Sequence, residues 1–365
     1  MSKKSGLCQL ATPFENSSTR SWEEYPRPQM KRKSYLSLCG EWDLSVLKKD
    51  SETFLGKITV PYPPESRISG INRPLAKNEQ YVYNRNFTLP DDFNKGHVIL
   101  HFGAVDCFAD VRINGTPAGG HNGGYLPFSF NITKLLKTGE NLIEVYVTDK
   151  LNTEYAYGKQ RNKRGGMWYT PVSGIWQTVW IENVPEKYVD NIEIFSCSNK
   201  VDIKLNDNFN GFATIKCGSN PDNVQRVDIE NGKASFEIEN PVYWCPENPH
   251  LYYVSVEVTD KDDQSIKDVV DTYFALRTLE IKEFNGTSFL CLNGNPYFFH
   301  GMLDQGYWSD GIYTPASYKA LVDDILLAKS LGFNMLRKHI KLEPELFYYY
   351  CDKHGMIVFQ DMVNN

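Results

Sequence analysis

No run of consecutive apolar residues in the 365-residue chain approaches the roughly 18 that a membrane-spanning helix requires. The chain is therefore read as non-membrane. The first residues, Met1-Ser2-Lys3-Lys4-Ser5-Gly6, carry charge with no apolar stretch behind them, so nothing resembles a secretory signal and a cytoplasmic location is expected. There is no CxxC pair among the eight cysteines, and so no paired Cys and His pattern of the zinc-finger kind. Buried free thiols are the plain expectation. An excess of basic charge is also missing: 39 Lys and Arg against 45 Asp and Glu give a net charge of −6. Binding a polyanion needs clustered cations, so nucleic acid is excluded as a partner. Asn-x-Ser/Thr triplets begin at Asn16, Asn86, Asn114, Asn131 and Asn285, but without a signal peptide they carry no weight.

What is present is a globular composition, 41% hydrophobic and 13% aromatic, on a chain long enough for two or three domains. The first 20 residues read as a loose leader. From there to about Pro185, short alternating runs separated by turn residues predict an antiparallel sandwich. Tyr81, Tyr83, Phe87 and Leu89 fall on one face of a strand, and Val98–Val105, Val111–Ile113, Asn141–Thr148 and Ile175–Ile181 repeat the pattern. Asn114-Gly115 predicts a type I′ hairpin, because both central residues of that turn need positive φ. A second alternating block, residues 186–278, has the size of an immunoglobulin-like sandwich. Its expected strands are Ile192–Phe195, Ala213–Cys217, Ala234–Ile238, Tyr252–Val258 and Val269–Phe274.

After Leu279 the period changes from two to 3.6. Pro296–Leu303 reads as a strand, and Thr314 with Pro315 as the N-cap and first position of a helix. That helix presents Tyr318, Leu321, Val322, Ile325 and Ala328 on one face, with Gly332 as its left-handed stop. Phe333–Leu336 is the next strand. Pro344 opens a helix that turns Leu346, Phe347, Tyr350 and Cys351 inward, and Gly355 ends it before the strand Met356–Phe359. The order β-α-β-α-β signals a parallel sheet. A complete (β/α)₈ barrel takes about 250 residues, so residues 279–365 hold about two and a half of its units.

Several stretches then name a family. Tyr25-Pro26-Arg27-Pro28-Gln29, Leu38-Cys39-Gly40-Glu41-Trp42-Asp43, Val60-Pro61-Tyr62-Pro63-Pro64-Glu65-Ser66 and Tyr83-Asn84-Arg85-Asn86-Phe87 come in order through the first block. Phe102-Gly103-Ala104-Val105-Asp106, Asn114-Gly115 and Gly120-His121-Asn122-Gly123-Gly124-Tyr125-Leu126-Pro127-Phe128 follow, then Trp168-Tyr169 and Ser173-Gly174-Ile175-Trp176. Tyr243-Trp244, Asn248-Pro249-His250-Leu251-Tyr252, Leu292-Asn293-Gly294-Asn295-Pro296 and Phe333-Asn334-Met335-Leu336-Arg337 complete the series. In this the sequence resembles glycoside hydrolase family 2, the β-galactosidases, β-glucuronidases and β-mannosidases, over nearly its whole length. Tyr83 and Asn84 stand where the family usually has an aromatic residue and Arg.

The resemblance implies a mostly β fold: a jelly-roll-like sugar-binding sandwich, an immunoglobulin-like sandwich and the start of a TIM barrel. It implies hydrolysis of O-glycosyl bonds with retention, of the β-galactosidase kind, on a carbohydrate substrate. In such a barrel the site lies at the C-terminal strand ends. Asp304, Gln305 and Trp308 follow the first strand; Arg337 and His339 the second; Asp361 the third. By resemblance Arg337 braces the nucleophile, while His339, two residues on where the family places its His three on, lies beside the sugar. Asp304 and Gln305 offer a carboxylate and an amide to sugar hydroxyls, and Trp308 a ring face. Asp361 matches an acidic position that binds a divalent cation in metal-dependent members. No metal or other cofactor is expected in this chain, although the intact parent leaves room for one, as it does for a homo-oligomer.

Retaining hydrolysis needs two carboxyl groups about 5 to 5.5 Å apart. In the family both are Glu on later strands, the acid/base within an Asn-Glu pair, and no Asn-Glu pair occurs after Leu279. The catalytic pair is thus expected beyond Asn365, and the chain alone is expected to be inactive. A non-catalytic carbohydrate-binding or scaffold protein of two sandwiches with a barrel stub is the alternative. That reading must accept exposed apolar strand edges and helix faces, which natural proteins avoid. A β-rich adhesion protein has no account of the βαβ pattern after Leu279.

Overall fold

The computed structural model describes residues 22–151, 154–163, 165–216, 224–259 and 266–363. The proposed leader, Cys217 and the last two residues lie outside these ranges.

Alternation in the first block folds as expected into two facing antiparallel sheets. One has six strands in the order Ser51–Val60, Gly40–Lys48, Gln80–Thr88, Glu140–Thr148, Phe108–Ile113 and Thr116–Asn122. The other has four, Tyr35–Ser37, Val179–Val184, His97–Phe102 and Phe128–Asn131. Side chains from both sheets, among them Trp42, Tyr83, Val111 and Val145 from one and Leu100, Phe102 and Ile181 from the other, form one core. Tyr81, Tyr83 and Phe87 are buried together, and Leu89 packs against them. Asn114 and Gly115 have φ of 52° and 79°, as the I′ turn requires. The strands expected at Val98–Val105 and Ile175–Ile181 are each divided. Val105–Asp106 and Gly174–Ile175 leave the main sheet and pair with each other.

The second block has seven strands in sheets of three and four. Ile192–Cys197, Lys200–Leu205 and Lys233–Glu237 face Val224–Ile229, Asn210–Lys216, Tyr252–Thr259 and Ile266–Phe274. Val201, Ile203 and Phe236 meet Ile215, Val254, Val256 and Val270 in its core. The two sandwiches are joined by a buried guanidinium: Arg32 donates to both oxygens of Asp268 in the second, at 3.1 and 2.8 Å, and to Glu182 in the first, at 3.5 Å.

Beyond Leu279 the structure corrects the expectation in four places. The period does not change at once: Leu279–Phe284, Thr287–Leu292 and Asn295–Pro296 form an antiparallel meander, turned by Asn285-Gly286 and Asn293-Gly294. The strand read at Pro296–Leu303 is therefore split, since Pro296 pairs with Cys291 in the meander and the parallel sheet begins only at Gly301. The first helix is Tyr318–Ser330, capped by Ser317, whose Oγ accepts from the Ala320 N–H at 3.1 Å. Thr314 does not cap it, because the helix begins only at Tyr318; the Thr314 hydroxyl instead donates to Trp176 O at 2.6 Å across the boundary with the first sandwich. The second and third strands are Met335–Lys338 and Ile357–Gln360, slightly later than read. Among the six described cysteines, none of them paired, Cys197 is exposed where a buried thiol was expected.

Gly301–Asp304, Met335–Lys338 and Ile357–Gln360 pair in parallel. Inner residues of the first helix (Leu321, Ile325, Ala328) and of the second, Glu345–His354 (Leu346, Phe347, Tyr350), share one cluster with Leu336, so both helices cover the same face of the sheet. Gly355, with φ of 73°, stops the second helix as expected. On the opposite face Leu303 is 49% exposed and Phe359 38%. No helix among the described residues is long and apolar enough to cross a membrane.

Candidate functional site

Side chains alternate across a strand, so the parallel register sorts the strand-end residues into two sets. Leu303, Arg337 and Phe359 stand in one row across the sheet, and Asp304, Lys338 and Gln360 in the next. The first row lies on the open face and the second on the face toward the helices.

On the open face Arg337 donates from Nε and a terminal nitrogen to both oxygens of Asp361, at 3.2 and 2.9 Å. This planar fork holds a guanidinium and a carboxylate at the ends of adjacent strands. His339 follows directly after the second strand, placed by its backbone N–H donating to Asp304 O at 2.8 Å. Its ring stands edge-on to Tyr169, centroids 6.1 Å apart, and burial holds the imidazole below its ordinary pKa. Gln305 donates its amide N–H to the Tyr169 hydroxyl at 2.7 Å. The structure therefore brings Gln305, Arg337, His339 and Asp361 together at one end of the sheet.

Tyr169 belongs to the first sandwich, and sequence reasoning noticed it only as part of a family motif. It sits on a segment tied down by its neighbours: Gln160 accepts from the Val172 N–H at 2.6 Å and donates to the Tyr125 hydroxyl at 3.0 Å. Glu65 accepts both the Ser173 hydroxyl, at 2.5 Å, and its N–H, at 3.1 Å. Burial pushes the Glu65 carboxyl up to about 7. Tyr307, from the stretch that follows the first strand, stacks obliquely on Tyr169 at 5.1 Å and donates to Thr170 O at 3.3 Å. The Tyr62 hydroxyl donates to Ala316 O at 2.6 Å and locks the far end of the loop that follows the first strand. That loop is held from the first sandwich at both ends.

Asp304 and Trp308 are not with this set. The Asp304 carboxylate turns to the helix side and meets Lys338 Nζ at 2.5 Å, while its other oxygen accepts from the Gly306 N–H at 2.8 Å. Lys338 also donates to Glu343 at 2.8 Å, and Lys341 reaches the same Glu343 oxygen at 3.0 Å. Lys338, Lys341 and Glu343 are almost fully buried. Burial pulls the Lys338 ammonium down, but Glu343 and Asp304 outweigh it and hold it above its ordinary range. Lys341, further enclosed by the carbonyls of Gly306 and Tyr313, is pulled by burial down to about 8. Trp308 lines a separate cleft beside Leu321 and Ile325 of the first helix.

At the strand ends both Asp361 oxygens face Arg337, which leaves them poorly disposed to a cation as found. The one group of His, Cys, Asp or Glu gathered to ligand spacing among the described residues is Asp106, Cys107 and Asp149, inside the first sandwich.

The glycosyl hydrolase 2 galactose-binding domain-like family model matches residues 63–178, and the glycosyl hydrolases family 2 model matches residues 190–277. A putative β-glucuronidase of Formosa agariphila is 26% identical over 77% of this chain and 34% of its own length. A β-galactosidase of Thermoanaerobacter pseudethanolicus is 26% identical over 77% of this chain and 39% of its own, and the β-glucuronidase of Felis catus 25% over 88% and 53%. The chain thus spans about a third to a half of the curated relatives it matches. Among solved structures, Bifidobacterium dentium β-glucuronidase complexed with coumarin-3-O-glucuronide superposes with a TM-score of 0.75 at 22% identity, covering 92% of this chain and 62% of that one. A β-galacturonidase of Eisenbergiella tayi gives 0.67 at 21%, covering 93% and 59%. The two family models, in order and together spanning more than half of the sequence, establish that the chain belongs to glycoside hydrolase family 2 and carries that family's N-terminal portion.

Proposed function

We propose that the chain forms the sugar-framing front of a retaining exo-β-glycosidase, with a β-galactoside as the first substrate to test. The observation that carries this reading is the assembly at the open strand ends. The Arg337–Asp361 fork stands near His339, and the Gln305–Tyr169 hydrogen bond fastens a side chain of the first sandwich over them. Such a group can bind and orient a pyranose: Gln305 and Asp361 offer amide and carboxylate to hydroxyls, and Tyr169 and Tyr307 offer ring faces. Arg337 would present its remaining donors to a carboxylate on a later strand. The relatives named β-galactosidase and β-glucuronidase support a β-glycoside as the ligand class.

Cleavage itself requires a positioned acid and a nucleophile. None of Glu280, Glu283, Glu343 and Glu345 supplies that pair, since the first two lie on the meander and Glu343 is committed to two lysines. The chain alone therefore binds without turning over. The test has two arms. With p-nitrophenyl β-galactoside, β-glucuronide and β-mannoside, release of nitrophenol by the chain should equal that in buffer. Saturation-transfer NMR should show the galactoside in contact with the chain, and Arg337→Ala should abolish that contact. Turnover well above buffer, or no contact with any of the three, would refute the reading.

A further inference from the structure

Three cations, Lys159, Arg161 and Lys163, precede Tyr169 in the loop that the first sandwich sends to the strand ends. The backbone keeps two of them beside that tyrosine. The Tyr169 N–H donates to Lys159 O at 3.0 Å, and the Arg161 N–H donates to Tyr169 O at 3.1 Å. Lys159 has φ of 56°, directly after Gly158 at 59°, a left-handed conformation that glycine adopts at less cost than lysine. A long charged side chain is thus held where a bare backbone would fit more easily. Its charge reaches the open face: the His339 imidazole, lowered first by burial and raised in part by Asp361, is lowered further by Lys159 and then by Arg337. Arg161 is exposed, with its guanidinium carbon 3.4 Å from the centre of the Trp168 ring, a stack that steadies its fork of donors.

Among the described residues, the side chains of Lys159, Arg161 and Lys163 have neither an ion pair nor a hydrogen bond. The carboxylates at the strand ends are taken elsewhere, Asp361 by Arg337 and Asp304 by Lys338 on the helix side. Charge left unmatched at the mouth of a site draws in ligands of the opposite sign. Where it acts follows from exposure. Tyr169 and Tyr307, which frame the sugar, are half-buried, whereas Arg161 and Lys163 are exposed. The cations therefore stand at the rim, where the part of a glycoside beyond its glycosidic oxygen emerges. A guanidinium fork there matches the paired oxygens of a carboxylate or a sulfate. On the reading of the open face given above, we infer that the site selects glycosides whose next unit, beyond the framed sugar, bears a carboxylate or sulfate held by Arg161 and Lys159.

Three galactosides of one size test this on the full chain: 4-nitrophenyl, 4-carboxyphenyl and 4-sulfophenyl β-D-galactoside, titrated by saturation-transfer NMR. At an ionic strength of about 20 mM the acidic compounds should bind on the order of tenfold tighter than the nitrophenyl one. Near 1 M, where the Debye length is about 3 Å, the advantage should shrink to about threefold or less. A gain confined to one acid satisfies the inference and assigns the rim to carboxylate or to sulfate alone. Arg161→Gln should cut the ratio of acidic to neutral affinity to about threefold or less. Lys159→Gly should do the same while leaving the urea midpoint no lower, because glycine relaxes the left-handed backbone. A lysine with a merely structural role would lower the midpoint and spare the ratio. A ratio near one in the unaltered chain, or one that survives both substitutions or 1 M salt, overturns the inference while the galactoside reading stands. Absence of contact with all three compounds overturns that reading first, and the inference with it.

Discussion

Replacing Lys338 with Met should loosen the parallel sheet far more than any exposed ion-pair change, and the expected size follows from the burial of its partners. Lys338 Nζ lies 2.5 Å from Asp304 and 2.8 Å from Glu343, with 2% of its side chain exposed. Methionine fills the same volume and removes the charge, so packing is retained while Asp304 loses its cation and Glu343 keeps only Lys341. Removing one partner of a buried pair costs about 3 to 5 kcal/mol, because the other charge is left uncompensated. At about 1.4 kcal/mol per factor of ten, 3 kcal/mol corresponds to roughly a 100-fold faster opening. Hydrogen exchange followed by mass spectrometry on peptides from Gly301 to Gln360 reads that opening directly, and peptides from the sandwich cores provide the unchanged reference. Lys319→Met is the matched control, since its i,i+4 partner Asp323 sits on the exposed helix surface and such pairs contribute about 0.3 to 0.5 kcal/mol. Neutralising Asp304 together with Lys338 should recover part of the loss, as no lone carboxylate then remains beside the first strand. Exchange in Lys338→Met within a factor of about five of the unaltered chain would refute the argument that this network holds the sheet to its helices.

Gly306→Ala should disturb the same network from its other side. Gly306 has φ of +66°, and a Cβ there would lie 2.5 Å from Glu343 Oε1 and 2.8 Å from Lys341 Cδ, so a loss of about 2 kcal/mol or more is expected in urea unfolding followed on the 301–360 peptides. The Glu65 carboxyl, pushed up by burial to about 7, binds its proton more tightly in the folded chain than in the unfolded one. Its contribution is therefore present below about pH 4.5 and lost as pH rises to 7, so exchange around Ser173 should quicken over that window and Glu65→Gln should flatten the dependence. Lys341, pulled by burial down to about 8, is the opposite case. The unfolded chain holds the extra proton between about pH 8 and 10, stability should rise across that range, and Lys341→Met should remove the rise in denaturant midpoint.

How far the sequence discloses the fold depends on whether a strand or helix has one dry face. Tyr81, Tyr83 and Phe87, or Leu321, Ile325 and Ala328, announce themselves because alternate or helically spaced positions are buried together. Leu279–Phe284 has no such face: its six residues are exposed or partly so, and Leu-Glu-Ile-Lys-Glu-Phe carries an alternation that nothing buries. The meander was missed for that reason, although Asn285-Gly286 and Asn293-Gly294 are the hairpin turns that mark it. Val224–Ile229 lies at a sheet edge with only Ile229 fully covered, and Lys200–Leu205 follows its neighbour so closely that the two read as one stretch. The position of the first helix was missed through a different cause. Thr314-Pro315 is a sound local signal, yet the helix begins only at Tyr318 with Ser317 as its cap, and Thr314 bonds across to Trp176 instead.

The site shows the same division between local and tertiary information. Strand-end reasoning named Gln305, Arg337, His339 and Asp361, which the structure sets at one end of the sheet, because the C-terminal ends of parallel strands can be located from period alone. It placed Asp304 in that group as a residue following the first strand, whereas Asp304 is the strand's last residue and points to the face opposite Leu303. A stricter use of the period would have separated them. Leu336 had to face the helices, so Lys338, two positions on, had to follow it into the dry layer and find an anion there. Asp304, opposite Lys338 in a parallel register, was the nearest carboxylate on another strand. No such rule reaches Tyr169, which arrives from a segment about 135 residues earlier, on an element whose own period says nothing about the parallel sheet. Its placement depends on Gln160, Tyr125, Glu65 and Ser173, none of which touches the strand ends. The open face is thus a shared construction of the first sandwich and the parallel sheet. Changes at Glu65 or Gln160, remote from any sugar hydroxyl, should therefore alter how the site presents Tyr169.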